Sequence, residues 1–109
     1  MSTPTLLLSL FKYKAWANAE LFAELEKLDP QARQAERHLA IRLLNHIHVV
    51  DRIFAAHLSG QPHAYTATNT PETPTLADLR DAVAQTDRWY LQYIEALAPP
   101  QFEEKLPFV

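Results

Sequence analysis

The chain has 109 residues, ten Lys plus Arg against thirteen Asp plus Glu, 48% hydrophobic residues, eight Pro, one Gly and no Cys. This length sets a ceiling of one domain, and the apolar share is that of a globular core. Without cysteine there is no disulfide, iron–sulfur cluster, cysteine-ligated zinc or thiol nucleophile, and a formal charge of −3 argues against nucleic acid as a partner.

A single glycine disfavours a fold of tight β-hairpins, so an all-α helical bundle is expected. In the first segment, Thr3 can cap free backbone N–H groups and Pro4 suits a first helical position. Leu7, Leu10, Lys14, Ala17, Leu21, Phe22, Leu25 and Leu28 then recur at three- and four-residue steps. Asp29-Pro30 stops the pattern, which predicts a first helix over Thr5 to Leu28. The apolar run Leu6-Leu7-Leu8-Ser9-Leu10-Phe11 breaks at Lys12 and Lys14, far short of the roughly 20 residues of a membrane span. It has the flanks of neither a signal peptide nor an anchor, so a cytoplasmic protein with no membrane partner is expected.

The second helix is predicted over Glu36 to Ser59, after a short helical turn. Its stripe is Leu39, Leu43, His46, Val50, Ile53 and His57, widened by Leu44, Ile47, Phe54 and Leu58, and Gly60 suits the left-handed residue that ends a helix. A loop rich in proline and threonine follows. Thr75-Leu76-Ala77-Asp78 then reads as a capping box, and Leu76, Leu79, Val83, Trp89, Tyr90, Tyr93, Ile94 and Leu97 continue at helical steps up to Pro99-Pro100. Phe102 to Val109 is short and β-compatible. The link from Gly60 to Pro74 can stretch to about 50 Å, against a second helix roughly 33–36 Å long. It can therefore run back along the bundle and set the third helix parallel to the second, whereas the short link at Asp29-Pro30 suits antiparallel neighbours.

Among groups that carry chemistry, His46 stands out, because a helix-borne imidazole on the apolar stripe points where bundles build metal and cofactor sites. His48 lies about 200° around the same helix and His57 about 16 Å along it, so neither shares one ion with His46. A hydrogen-bonded core histidine and a metal ligand both remain open for His46. His48 is expected on the outer face beside Asp51 and Arg52, His57 against the helix dipole at the carboxyl end, and His38 and His63 on exposed loop flanks. Trp16, Trp89, Tyr90 and Tyr93 read as packing residues. No nucleophile–base pair can be inferred, and one glycine cannot build a phosphate loop, so no catalytic or cofactor-binding residue is assigned.

Leu10-Phe11-Lys12-Tyr13-Lys14-Ala15-Trp16-Ala17-Asn18 resembles the opening of the DinB family, whose first helix carries a Tyr-x-x-Trp-x-Asn pattern. Leu43-Leu44-Asn45-His46-Ile47-His48-Val49-Val50-Asp51-Arg52-Ile53-Phe54, ending in Leu-Ser-Gly, is similar to its second helix, and the later segments fit its order. The resemblance implies an up-down-down-up four-helix bundle holding a divalent metal, zinc or nickel, on three histidines. His46 matches one of them. The other two form a His-x-x-x-His pair on a fourth helix, after a β-hairpin that would begin near Phe102.

The function implied is that of a metal-dependent thiol S-transferase, isomerase or hydrolase acting on a small-molecule thiol and an electrophile. The chain resembles the first two-thirds of a typical member. Residues 1–109 are thus expected to form one DinB-like domain lacking the fourth helix, with an incomplete metal site, inactive by itself. It would be either a fragment or processed form, or a chain that covers its spare apolar face as a homodimer. The alternative is a non-enzymatic helical module that oligomerises or serves as a stress-related interaction protein.

Overall fold

The computed structural model describes residues 3–97, which form α1 (Thr3–Glu26), α2 (Gln34–Ser59) and α3 (Leu76–Ala96), with no strand among the described residues. The all-α expectation holds. Pro99-Pro100 and the β-compatible Phe102 to Val109 segment lie outside the described residues. α1 starts and stops two residues before the predicted bounds. At its end the Lys27 and Leu28 N–H groups fall back on the Glu24 and Leu25 carbonyls, each at 3.2 Å, a tighter turn than the α-helix.

The helix ends follow from local chemistry. The Asp29 carboxylate accepts the N–H groups of Gln31 at 2.8 Å and Ala32 at 3.2 Å, which turns the chain toward α2. These two backbone bonds hold the exposed Asp29 below the usual carboxylate range. Gly60 closes α2 at φ 67°, its N–H directed at the last carbonyls, while Gln61 N–H reaches the Ala56 carbonyl at 2.9 Å. That is a Schellman ending, which needs the left-handed residue. Thr75 caps α3, its hydroxyl accepting the Asp78 N–H at 3.1 Å.

Cross-helix contacts fix the directions. Phe11 stacks on Tyr90, Asn18 bonds Asp87, and Glu26 meets Arg80, so α1 ascends as α3 descends. His48 meets Thr86, and the Asp51 carbonyl meets Tyr90, so α2 and α3 run parallel. The chain between them does run back along α2. It is stapled there by Asn45, which donates to Asn69 Oδ1 at 2.5 Å and Thr70 Oγ1 at 2.7 Å, and by Arg42, which donates to the Thr70 carbonyl at 2.7 Å. Asn69 returns a bond to the Arg42 carbonyl at 3.0 Å. Buried amide groups are tolerated there because each has a partner.

Phe22, Leu25, Ile41, Leu76, Leu79 and Val83 form the apolar core at the end of the bundle where the α1–α2 turn lies. On α2 the predicted stripe is not the buried one. Ile41, Asn45, Val49 and Ala55 face the core, whereas Leu39 is 70% exposed and Leu43 59% exposed. α2 carries two apolar faces, and helical periodicity cannot say which of them α1 and α3 take. The second face, with Leu6, Leu10 and Tyr13 of α1, is uncovered among the described residues.

Candidate functional site

His46 sits away from the buried face of α2, half-exposed on the side that carries Leu43, Ile47 and Val50. This corrects the expectation that it points into the core. Its Nδ1 lies 2.6 Å from the Thr68 carbonyl oxygen. A carbonyl only accepts, so Nδ1 carries the ring proton, and the neutral imidazole keeps its free lone pair on Nε2. A metal-ligating histidine is commonly held this way, with the second nitrogen tied to a carbonyl or carboxylate that sets tautomer and ring orientation. The bond comes from the return loop, which no spacing rule in the helix itself could reveal. Among the described residues, no group of three His, Cys, Asp or Glu side chains is placed to hold an ion.

The densest polar constellation lies elsewhere, at the centre of the bundle. Lys14 Nζ is 2.7 Å from Asp51 Oδ2 and 3.2 Å from Asp87 Oδ1, and Asn18 donates to Asp87 Oδ2 at 3.0 Å. The Tyr90 hydroxyl donates to the Asp51 carbonyl at 2.5 Å. Asp87 is only 5% exposed. A carboxylate this deep is held there by its cation and amide donors, because an unpaired buried charge is prohibitively costly. Burial alone pulls the Lys14 ammonium down, but the Asp51 hydrogen bond and the charges of Asp51 and Asp87 outweigh it and raise its pKa, so Lys14 stays charged. Burial, reinforced by the Asp51 charge, pushes the Tyr90 phenol up, so it stays a donor.

With both carboxylates engaged by one ammonium, this constellation locks the register of three helices rather than offering a free acid or base. Lys14 inside an apolar stripe was the sequence signal for it. Its partners, 37 and 73 residues away, carried none.

His48 corrects a second expectation. It does not lie out among solvated charges. It is half-buried between α2 and α3, with Nε2 3.0 Å from Thr86 Oγ1. Burial first and the Arg52 charge second lower its pKa, against the opposing pull of Asp51 and Asp87. A histidine depressed when folded binds fewer protons than the unfolded chain below its ordinary value of 6.5, so its contribution is present above that pH and lost as pH falls. Relative to His48→Gln, the wild type is therefore expected to lose thermal stability steadily from about pH 7.5 to pH 5.5, across that ordinary histidine value. A wild-type-minus-variant Tm difference that stays constant across this range would defeat the assignment.

His38 and His63 lie exposed as anticipated, whereas His57, which its spacing placed on the apolar stripe with His46, is exposed as well. The His57 and His63 ring centroids are 6.0 Å apart in an edge contact. Trp16 departs from its packing role, being 59% exposed beside Tyr13 at 5.8 Å. No helix among the described residues is long and apolar enough to cross a membrane.

No curated protein and no solved structure matches the chain. The family model described as the DinB superfamily matches residues 14–108. That span takes in Lys14, Asn18, the whole of α2 with His46, and α3, so it embraces both the polar centre and the return loop that holds His46. With a match over most of its length and a helical architecture of the kind that resemblance implied, the chain belongs to the DinB superfamily.

Proposed function

We propose that this protein is a divalent-metal-binding member of its superfamily, in which His46 supplies one imidazole to a zinc or nickel ion. With such an ion fully ligated, it would act as a metal-dependent thiol S-transferase or hydrolase on a small electrophile. The observation that carries this reading is the 2.6 Å bond from His46 Nδ1 to the Thr68 carbonyl. It presents Nε2 as a lone pair fixed in orientation, on the helix face that α1 and α3 leave free. When bound, such an ion supplies Lewis acidity and lowers the pKa of a coordinated water or thiol.

The described residues fit one ligand position and do not complete the set, so the other imidazoles must reach the ion from beyond these three helices, and no reaction step is derived. His46 holds the ring geometry and the Thr68 carbonyl holds its tautomer. Because the chain has no cysteine, any thiol enters as a substrate.

The exposed Leu39, Leu43, Ile47 and Phe54 on α2, with Leu6, Leu10 and Tyr13 on α1, favour a second reading, a homodimeric helical module without metal. One experiment separates the two. The intact gene product, expressed with zinc and nickel supplied, is analysed for metal by plasma mass spectrometry and for mass by light scattering. The metalloprotein reading expects about one ion per chain, lost in His46→Ala while circular dichroism shows the helices retained. Stoichiometric metal that survives His46→Ala sinks the ligand assignment. A metal-free dimer establishes the module instead.

A further inference from the structure

A cavity of about 430 Å³ opens between α2 and α3 under the first part of the return loop, within the size range of small-molecule sites. It is separate from His46. Ala55 in its wall is nine residues along α2 from His46, two and a half turns, which puts the two on opposite sides of the helix.

Three properties of its lining define what it can take. The first is charge. Arg52 borders the cavity, and its guanidinium makes no ion pair or hydrogen bond among the described residues, while no Asp or Glu lines the wall. In a chain of net charge −3, an unpaired arginine in the wall of a cavity that no carboxylate lines among the described residues is a local reversal of sign. Its planar fork matches a carboxylate in geometry as well as charge.

The second is the set of donors. The Tyr65 N–H donates to His63 Nδ1 at 3.2 Å, so in the neutral His63 ring the proton is on Nε2, which becomes a donor. Trp89 contributes an indole N–H, which can only donate. The third is shape. Trp89 is stacked on Tyr93 with centroids 5.1 Å apart at 16°, and Tyr90 meets it edge-on at 88°. The indole is thus held rigid, and with Tyr65 it forms aromatic walls against which a flat ring can lie.

We propose that this cavity binds a small planar organic anion, an aromatic ring bearing a carboxylate. Arg52 pairs with the carboxylate, and the Trp89 and Tyr65 walls hold the ring. The site requires no metal, and its test is independent of the ligand assignment at His46.

Benzoate is the probe, titrated into the intact protein and followed by calorimetry and by ¹H–¹⁵N correlation spectra. Saturable binding is expected, with shifts at the Arg52 side chain, the Trp89 indole N–H and the Tyr65 amide, and none at the His46 ring. Benzamide, which keeps the ring and loses the charge, should bind at least about tenfold more weakly, and so should benzoate to Arg52→Gln. Arg52 is exposed and makes no hydrogen bond or ion pair among the described residues, so this variant is expected to keep its helices, as circular dichroism would show. Acetate, which keeps the charge and loses the ring, should also bind more weakly. Shifts that rise linearly without saturation, equal affinity for benzamide, or benzoate binding unchanged in Arg52→Gln would each overturn the proposal. Equal affinity for acetate would overturn its aromatic half. Metal content unchanged in Arg52→Gln separates this outcome from that at His46.

Discussion

Lys14→Met is expected to lower the unfolding free energy by about 3 kcal/mol, the lower end of what removal of one partner from a buried ion pair costs. The lower end applies because the Lys14 side chain is 33% exposed. Asp87, whose side chain is 6% exposed, would keep only the Asn18 amide, and Asp51 would face it without the ammonium between them. Urea unfolding of the variant at pH 7 measures the loss. The same substitution at Lys27 serves as reference, since its pair with Glu24 has both side chains mostly exposed, at 71% and 66%, and should cost below about 0.5 kcal/mol. Similar losses for the two variants would show that the central constellation is not holding the helices in register.

Phe22→Ala is expected to cost about 4 kcal/mol. Phe22 is 1% exposed and packs with Leu25, Ile41, Leu76, Leu79 and Val83, so its truncation removes contacts with all three helices at once. It also borders a cavity of about 250 Å³ between α1 and α3, so the new void would merge with space that is already poorly filled and collapse little. Since whole domains are stable by only about 5–15 kcal/mol, the variant should unfold at a markedly lower urea midpoint. A loss below about 1.5 kcal/mol would mean that the helices repack around the gap, and that this end of the bundle is less tightly specified than its burial indicates. Leu39→Ala on the 70% exposed face is the informative contrast: a near-neutral effect is expected for three helices alone, and a cost of a few kcal/mol would report that something covers that face.

These two substitutions bear on different halves of the same interior. The apolar end around Phe22 supplies non-directional burial, and the polar centre around Lys14 supplies direction. An ammonium that must lie within reach of carboxylates from two other helices tolerates no sliding by a turn, whereas leucines do. The return loop adds a third constraint, because Asn45 and Arg42 hold Asn69 and Thr70 against α2, and the same loop sets the tautomer of His46.

Much of this was legible from local chemistry. Pro30 and Gly60 stop helices for backbone reasons, Thr75 caps α3 through its own hydroxyl, and the length of the Gly60 to Pro74 link made a parallel α2 and α3 possible. Those features act over a few residues, so a sequence states them directly. Which of two apolar faces of α2 turns inward was not legible, because both repeat at helical spacing and only the positions of α1 and α3 choose between them. For that reason His46 was expected inside and lies at the open side, while His48 was expected outside and lies against Thr86. Asp51 and Asp87 carried no signal either, since a carboxylate becomes a buried partner only when a cation far away in the chain is brought to it.

Residue chemistry by itself thus determined that the described residues are helical, placed the helix bounds to within two residues, and left imidazole and carboxylate as the only side chains to hold a metal here. Tertiary structure alone decided which histidine is tied through Nδ1 to the return loop, which charges are engaged by one another, and that Arg52 has no partner among the described residues. The physical reason is range: caps and stops are settled within one turn of helix, whereas protonation, pairing and exposure are settled by neighbours that the fold assembles from opposite ends of the chain.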